Sequence, residues 1–344
     1  MLHSVQYMRA IAAILVVFHH AAWKGEQYST NPLHWFHVGS IGVDLFFVIS
    51  GFIMCYTVDK KKVDFWNFLK ARFFRIIPLY WVLTSLALVV YLIFPEKVNS
   101  SGGVTDVLAS FTLIPSEGKY LINNGWTLSY EFLFYFIFAT CLTLNTSGKY
   151  LLPCAIMITA CTIGFYSGEV NYLVSFFTSV YLLEFVFGIF AFYVSKRVSA
   201  NFYAGVSLIA VSVVMVFIVN KNLSLMEPNR IIQFGVPSLL FFVGMVLIEP
   251  IFSLKSNRKL SRTLKALGDS SYSLYLFHPF VLVACSIVLS FLGLAEYGWI
   301  FVGILVVTSL VSGHICYLVL ESPISNLIKK KANRNPEKLG KSAF

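Results

Sequence analysis

The feature that most constrains this chain is its first apolar segment, because that segment carries ionisable residues. Residues Ile11–Phe18 read IAAILVVF, a composition typical of a helix in lipid, yet Arg9 precedes the run and His20 follows it. Eleven residues separate Arg9 from His20, which is about 17 Å and close to three turns of helix, so their side chains share one face. Ionisable groups in membrane helices are costly and usually face a bundle interior or a polar cavity. The spacing therefore predicts a functional site on this face.

The composition indicates an integral membrane protein. Of 344 residues, 58% are hydrophobic and only 12% are charged, whereas soluble domains average about 25% charged residues. Apolar stretches of about 20 residues predict an all-α polytopic bundle of about ten transmembrane helices. We expect one transmembrane domain over 1–328 and a basic, disordered cytoplasmic tail over 329–344. The helices are predicted near 5–23, 38–57, 77–95, 127–146, 150–167, 172–194, 202–220, 231–250, 270–292 and 297–320.

The basic residues predict how the helices are oriented. With ten helices and the N-terminus inside, 21 of the 26 lysines and arginines fall on the inner side. This bias follows the positive-inside rule, so we expect both termini to be cytoplasmic and the protein to lie in the cytoplasmic (inner) membrane. The basic residues are spread over separate segments, so the net charge of +10 does not indicate nucleic-acid binding. The predicted outer side holds only Lys24, Lys97, Lys119, Lys221 and Arg230.

The six cysteines have no metal-ligand spacing, and we expect no metal site. They fall in or beside apolar helices, where cysteine usually serves as a small packing residue.

Two carboxylates fall in predicted membrane helices. Asp44, early in the second helix, is either an ion-pair or capping residue near the outer interface or an acid that orients His20. His19 points about 100° away from His20 on the helix, so it is the weaker candidate. Glu131, at the predicted outer end of the fourth helix, is either a buried structural acceptor or a ligand for a sugar hydroxyl.

An arginine pair lies at the predicted cytoplasmic end of the third helix. Arg72 and Arg75 stand at i and i+3 and share a helix face, with Pro78 just beyond them. They either anchor the helix at the inner surface or form a clamp for phosphate, since arginine suits bidentate phosphate contacts.

Three further residues have two interpretations each. Trp126 and Tyr130 belong either to an interfacial aromatic belt or to a surface that stacks on a carbohydrate ring. His278, followed by proline, is either satisfied by a neighbouring helix or takes part in the site.

Six motifs in order resemble a known family. They run from Tyr7 to about Pro323 and comprise Arg9-x10-His20, GVDLFFVISGF (Gly42–Phe52), FLKARFFRIIPLYW (Phe68–Trp81), WTLSYEFLFY (Trp126–Tyr135), SYSLYLFHP (Ser271–Pro279) and ESP (Glu321–Pro323). Together they resemble the acyltransferase-3 family of membrane acyltransferases, most closely the branch that O-acetylates bacterial exopolysaccharide and O-antigen sugars.

The resemblance implies that Arg9 and His20 form the catalytic signature. His20 would act as a general base on a sugar hydroxyl or accept the acyl group transiently. Asp44 or Glu131 would hold its tautomer, and Arg9 would stand near the donor phosphates or stabilise negative charge on the donor.

The resemblance also implies cytosolic acetyl-CoA as the donor and co-substrate, with no further cofactor. Arg72 and Arg75 match the family's donor-associated arginines, and we add Tyr80 of the same block to the donor-binding set. The expected acceptor is a bacterial glycan or lipid-linked oligosaccharide, contacted by Trp126, Tyr130 and His278.

Two other functions remain open from the sequence. Intramembrane His, Asp and Glu residues would also suit a secondary transporter or flippase for a lipid-linked glycan. A catalytically silent partner of a polysaccharide machine is the third reading.

Overall fold

The fold is helical throughout the part of the chain that the computed structural model describes. The described residues are 2–30, 32–60, 63–98, 102–144, 148–168, 171–222, 229–254 and 259–334. Within these ranges the only strand-like pairing is a single bridge between Thr105 and Lys119. A mostly apolar chain favours this outcome, since a membrane helix satisfies its own backbone hydrogen bonds. The predicted all-α membrane fold is confirmed.

Fifteen α-helices are described. They are α1 (His3–Gln27), α2 (Ile41–Lys60), α3 (Phe65–Ile93), α4 (Val107–Thr112), α5 (Gly125–Thr140), α6 (Gly148–Ser167), α7 (Tyr172–Phe177), α8 (Tyr181–Arg197), α9 (Phe202–Asn222), α10 (Val236–Leu247), α11 (Glu249–Leu254), α12 (Lys259–Asp269), α13 (Ser271–Phe291), α14 (Gly298–Cys316) and α15 (Ser322–Arg334). A π-helical turn precedes α10 at Ile231–Gly235, and another joins α14 to α15 at Tyr317–Glu321.

Eight helices of the described residues are long and apolar enough to cross a membrane. The predicted fourth helix corresponds to α5, which has 16 residues. The predicted eighth corresponds to the shorter apolar segment Ile231–Leu247. The protein is therefore a multi-pass membrane protein, while the count of ten spans and the cytoplasmic termini stay predictions.

The start of the third helix and the start of the tail differ from the predictions. The third helix starts at Phe65 rather than near residue 77, so Arg72 and Arg75 lie inside α3 and Pro78 lies within the same helix. The predicted tail over 329–344 begins inside α15, which continues to Arg334, because the lysine-rich sequence there forms an amphipathic helix. Residues 335–344 lie outside the described residues, so disorder there stays a prediction.

The chain divides into two compact units, each described by itself. The first comprises Met1–Phe52 and Phe187–Tyr317, and the second comprises Ile53–Val186 and Leu318–Phe344.

In the first unit, α1 packs against α12, α13 and α14. Two glycines allow backbones to approach closely, as small residues often do between membrane helices. A Cβ on Gly42 of α2 would stand 2.4 Å from the Ala12 carbonyl oxygen, and one on Gly268 of α12 would stand 2.1 Å from that of Gln6. These contacts fix the position of α1, which carries Arg9 and His20. The apolar core around α1 includes Ala13, Val17, Ala21, Leu274, Phe301 and Leu305.

The N-terminus of α1 is capped by a carboxylate distant in sequence. Backbone N–H groups of His3 and Ser4 donate to the two carboxylate oxygens of Glu249, each at 2.7 Å. The residue before the helix, Leu2, supplies no side-chain cap. Glu249 therefore satisfies two of the backbone donors that every helix leaves unpaired at its start, and it places negative charge at the positive end of the helix dipole.

In the second unit, aromatic residues join α3, α5 and α8. Phe68 of α3 packs on Phe138 of α5, with ring centroids 5.6 Å apart. Phe134 of α5 stacks on Phe185 of α8 at 4.4 Å.

The connection between α3 and α5 is held against α3 by hydrogen bonds. The Tyr80 hydroxyl donates to the Ser110 carbonyl at 2.7 Å, and Trp81 Nε1 donates to the Phe111 carbonyl at 2.9 Å. Asp106 caps α4 by accepting from the Ala109 N–H. Hydrogen bonds from Ser116 and Ala109 hold the pKa of Asp106 below its usual range.

We expect Glu249→Ala to lower the melting temperature of the purified protein in detergent. The variant loses two charge-assisted hydrogen bonds, a loss of about 1–3 kcal/mol. Glu249→Gln is the matched control, because its amide oxygen still accepts from one N–H, and it should lose less. Equal melting temperatures for wild type and Glu249→Ala would contradict the capping role.

Candidate active site

The candidate site is a pair of histidines brought together from α1 and α13. Nδ1 of His20 lies 2.8 Å from Nε2 of His278. The two rings are nearly parallel, with an interplanar angle of 17° and centroids 5.1 Å apart. His278 is fully buried. Both residues belong to the first unit, and residues 258 positions apart thus form one hydrogen-bonded pair.

The second nitrogen of His278 is occupied by the backbone. His278 Nδ1 lies 2.9 Å from the carbonyl oxygen of Leu274, one helical turn earlier. Pro279 follows within the same helix and has no N–H, so the Tyr275 carbonyl lacks its usual helical donor. The His-Pro sequence thus places the histidine at a turn of α13 where the normal helical pairing is interrupted.

These contacts fix the proton positions of a neutral pair. The Leu274 carbonyl can only accept, so Nδ1 of His278 carries the proton and its Nε2 is an acceptor. Nδ1 of His20 must then carry its own proton and donate it to His278. Nε2 of His20 is left with a free lone pair, the form that a general base requires.

Arg9 lies elsewhere on α1 and contacts a different group. It is 8% exposed, and its NH1 donates to Oε1 of Gln6 at 3.3 Å. Gln6 in turn donates to Asp269 of α12 at 2.8 Å. Arg9 and His20 are about 17 Å apart along the helix axis. The shared face that the sequence predicts thus carries two separate polar centres, one near each end of α1.

Asp44 forms the ion pair that was one of its two predicted roles. Its Oδ2 accepts from NH2 of Arg230 at 2.7 Å, and the Asp44 side chain is fully buried. Arg230 lies just before the π-helical turn and also sits over the Phe234 ring, with its Cζ 5.3 Å from the ring centroid. The group that orients His20 in the structure is His278 rather than a carboxylate.

In the second unit, the predicted donor arginines differ in exposure. Arg72 is partly buried, lies 5.7 Å from the centroid of the Phe68 ring and is within electrostatic range of Glu131. Glu131 accepts a hydrogen bond of 2.6 Å from Tyr135. Arg75, one turn further along α3, is exposed. Arg75 is therefore the arginine of the pair that is open to an anionic ligand.

Three other predicted residues take part in packing within the second unit. Tyr80 is fully buried, and its hydroxyl is bonded to the Ser110 carbonyl. Tyr130 stacks on Phe176 with centroids 4.2 Å apart, and Trp126 lies 5.1 Å from Tyr181. These contacts agree with structural roles, so contacts with donor or sugar stay predictions. Among the described residues, no group of three or more His, Cys, Asp or Glu is placed to hold a metal.

The sequence left two interpretations of His278, contact with a neighbouring helix or a part in the site, and the predicted acceptor-binding set included it. The pairing of His278 with His20 was not predicted. The sequence feature that could have drawn attention to His278 was the His-Pro pair in an apolar helix. The sequence also did not predict that Arg9 contacts Gln6, that Gln6 contacts Asp269, or that Asp44 pairs with Arg230.

Comparison with known proteins agrees with a polytopic membrane enzyme. The model of an acyltransferase domain family matches residues 2–317. The chain is 30% identical over 304 residues to the exopolysaccharide production protein ExoZ of Rhizobium meliloti (strain 1021), covering 85% of this chain and 91% of that protein. It is 25% identical over 316 residues to the O-acetyltransferase OatA of Staphylococcus aureus (strain NCTC 8325 / PS 47), covering 80% and 50% respectively. No solved structure matches the chain.

The fold and the comparisons define a multi-pass membrane acyltransferase. The chain belongs to the acyltransferase-3 family, as the sequence motifs predicted.

We expect His278→Ala to lower the rate of acyl transfer about a hundredfold, because His20 loses the acceptor that holds its Nδ1 proton. His278→Gln is the matched control, since its amide oxygen can accept from His20 in place of Nε2. The glutamine variant should recover part of the rate. Equal rates for the two variants at equal folded fraction would contradict the orienting role of His278.

Proposed function

We propose that this protein transfers an acetyl group from cytoplasmic acetyl-CoA to a sugar hydroxyl of an extracytoplasmic or lipid-linked bacterial polysaccharide, in the cytoplasmic membrane. The relatives support the acetyl group and the glycan, since one is named an O-acetyltransferase and another an exopolysaccharide production protein. The observation that carries the chemistry is the chain of hydrogen bonds from His20 Nδ1 to His278 and from His278 to the Leu274 carbonyl. We infer from this chain that Nε2 of His20 is unprotonated.

In the proposed reaction His20 acts as the general base. Its Nε2 takes the proton of the sugar hydroxyl while the hydroxyl oxygen attacks the thioester carbonyl. The new C–O ester bond forms, the C–S bond breaks, and the coenzyme A thiolate takes the proton back from His20. The transient positive charge on His20 is stabilised by the His278 lone pair, and His278 is in turn held by the Leu274 carbonyl.

The same nitrogen could instead act as a nucleophile. Nε2 of His20 would then form an acyl-imidazole with release of coenzyme A, and the sugar hydroxyl would react in a second step. The two routes differ in one observable, because only the second leaves label on the protein when no acceptor is present.

For the donor, we propose that Arg75 contacts the anionic phosphates of acetyl-CoA. Arg75 is exposed on α3, and a guanidinium makes strong charge-assisted hydrogen bonds to phosphate. Arg72 packs against Phe68 and lies near Glu131, and we propose that its positive charge helps to attract the same phosphates. We propose that Arg9, about 17 Å along α1 from His20, serves an anionic part of the donor rather than the reacting carbonyl.

We expect His20→Ala to abolish label transfer from radiolabelled acetyl-CoA to glycan, whereas His19→Ala retains most of it, because only the His20 ring is hydrogen-bonded to His278. The assay uses protein in nanodiscs with a panel of undecaprenyl-linked and free bacterial oligosaccharides. Absence of transfer to every acceptor, with no coenzyme A release above the His20→Ala control, would overturn the proposed acetyltransferase function. It would favour a transporter or a catalytically silent partner.

We expect Arg75→Ala to raise the KM for acetyl-CoA by about tenfold or more, since a lost charge-assisted hydrogen bond is worth about 1.5–3 kcal/mol. The effect should vanish with S-acetyl-pantetheine as donor, because that thioester lacks the phosphates. Lys70→Ala, which removes another exposed positive charge from α3, is the matched control. An equal increase with both donors would contradict a phosphate contact at Arg75.

A further inference from the structure

The segment between α1 and α2 presents an exposed tryptophan in the first unit. This tryptophan, Trp35, is 53% exposed, and the neighbouring His34 and His37 are exposed too. The indole meets the Phe36 ring edge to face, with centroids 5.9 Å apart. More than half of the surface of Trp35 is thus left uncovered, in a segment that also exposes two histidines.

The backbone that carries Trp35 is hydrogen-bonded on both sides to one side chain of α9. Nδ2 of Asn220 donates to the Trp35 carbonyl at 2.8 Å, and Oδ1 of Asn220 accepts from the His37 N–H at 2.9 Å. A turn bond from the Phe36 N–H to the Leu33 carbonyl at 2.8 Å adds to this. The amide of Asn220 uses both of its ends on a single tripeptide, so the exposure of Trp35 is set by the fold.

The same segment lies directly against the catalytic end of α1. Gly39 packs so closely there that a Cβ would meet Cβ of His19 and the Leu15 carbonyl oxygen at 2.7 and 2.8 Å. His37 and Arg230 are both within electrostatic range of His19. His19 is the sequence neighbour of His20, so the segment with Trp35 lies at the end of α1 that carries the catalytic pair.

We propose that Trp35 is a stacking surface for a pyranose ring of the acceptor glycan, with His37 beside it as a hydrogen-bonding group. The apolar face of a sugar ring packs on an indole, while its hydroxyls need nearby polar side chains. A rigid aromatic surface loses little entropy when it binds, which suits a weakly held polymer. The inference rests on the proposed function, because it assigns the acceptor side of the same reaction.

An exposed tryptophan near a helix end can also serve as an interfacial anchor. Trp23, in the last turns of α1 and 43% exposed, offers the comparison, since it is an exposed tryptophan on the helix that carries His20. An anchor stabilises the protein in the bilayer, whereas a stacking surface changes the affinity for acceptor.

The test compares Trp35→Ala, Trp35→Phe and Trp23→Ala in nanodiscs. The readouts are the KM values for oligosaccharide and acetyl-CoA, the melting temperature, and direct binding of tritiated oligosaccharide without donor. Trp35→Ala should raise the acceptor KM and weaken binding about tenfold, with the KM for acetyl-CoA unchanged. Trp35→Phe should keep most of the affinity, and Trp23→Ala should match wild type.

Asn220→Ala separates the contribution of the backbone hydrogen bonds that position Trp35 from the contribution of the indole ring. It keeps Trp35 but removes both hydrogen bonds, so we expect it to raise the acceptor KM as well. A Trp35→Ala variant that lowers only the melting temperature, or that changes acceptor affinity no more than Trp23→Ala, would overturn the proposal in favour of an anchor.

The binding arm distinguishes the two failures. Loss of binding in Trp35→Ala supports the stacking surface even if wild type transfers no label, in which case only the enzyme proposal fails. Wild-type protein that binds oligosaccharide no better than Trp35→Ala would overturn the stacking surface whether or not label is transferred.

Discussion

The hydrogen bond between His278 and the Leu274 carbonyl determines the chemistry of the candidate site. A carbonyl can only accept, so this bond sets the proton on Nδ1 of His278 and, through the next bond, the proton on Nδ1 of His20. Elsewhere a catalytic imidazole is commonly oriented by a carboxylate. Here a second neutral imidazole, His278, does so and is itself held by a backbone carbonyl, which avoids an extra buried charge in an apolar bundle.

The rest of the first unit keeps His20 in register with His278. The Glu249 carboxylate fixes the start of α1, Gly268 lets α12 approach the backbone of α1, and Gly42 lets α2 do the same. The Asp44–Arg230 ion pair joins α2 to the segment before α10. A helix held at several points along its length can keep one imidazole within hydrogen-bonding distance of another.

Much of this structure was predictable from the sequence. The rest was not, and the reason is physical. Hydropathy and charge gave the membrane fold, and the ordered motifs gave the family. Helical spacing correctly put Arg9 and His20 on α1, since it depends only on local geometry. It could not pair His20 with His278, or Asp44 with Arg230, because those contacts depend on how distant helices pack. The start of α3 was placed late because Arg72 and Arg75 ended the apolar run, although charged residues continue a helix well.

The most direct test of the account is the protonation of the two rings, measured by ¹⁵N magnetic resonance of histidine-labelled protein in lipid. His20→Ala and His278→Gln variants assign the signals among the seven histidines. The account predicts that both His20 and His278 carry their proton on Nδ1, with Nε2 unprotonated. A signal showing His20 protonated on Nε2 and unprotonated on Nδ1 would contradict it. That ring could not donate to His278, and its Nε2 could not accept a proton from the sugar hydroxyl.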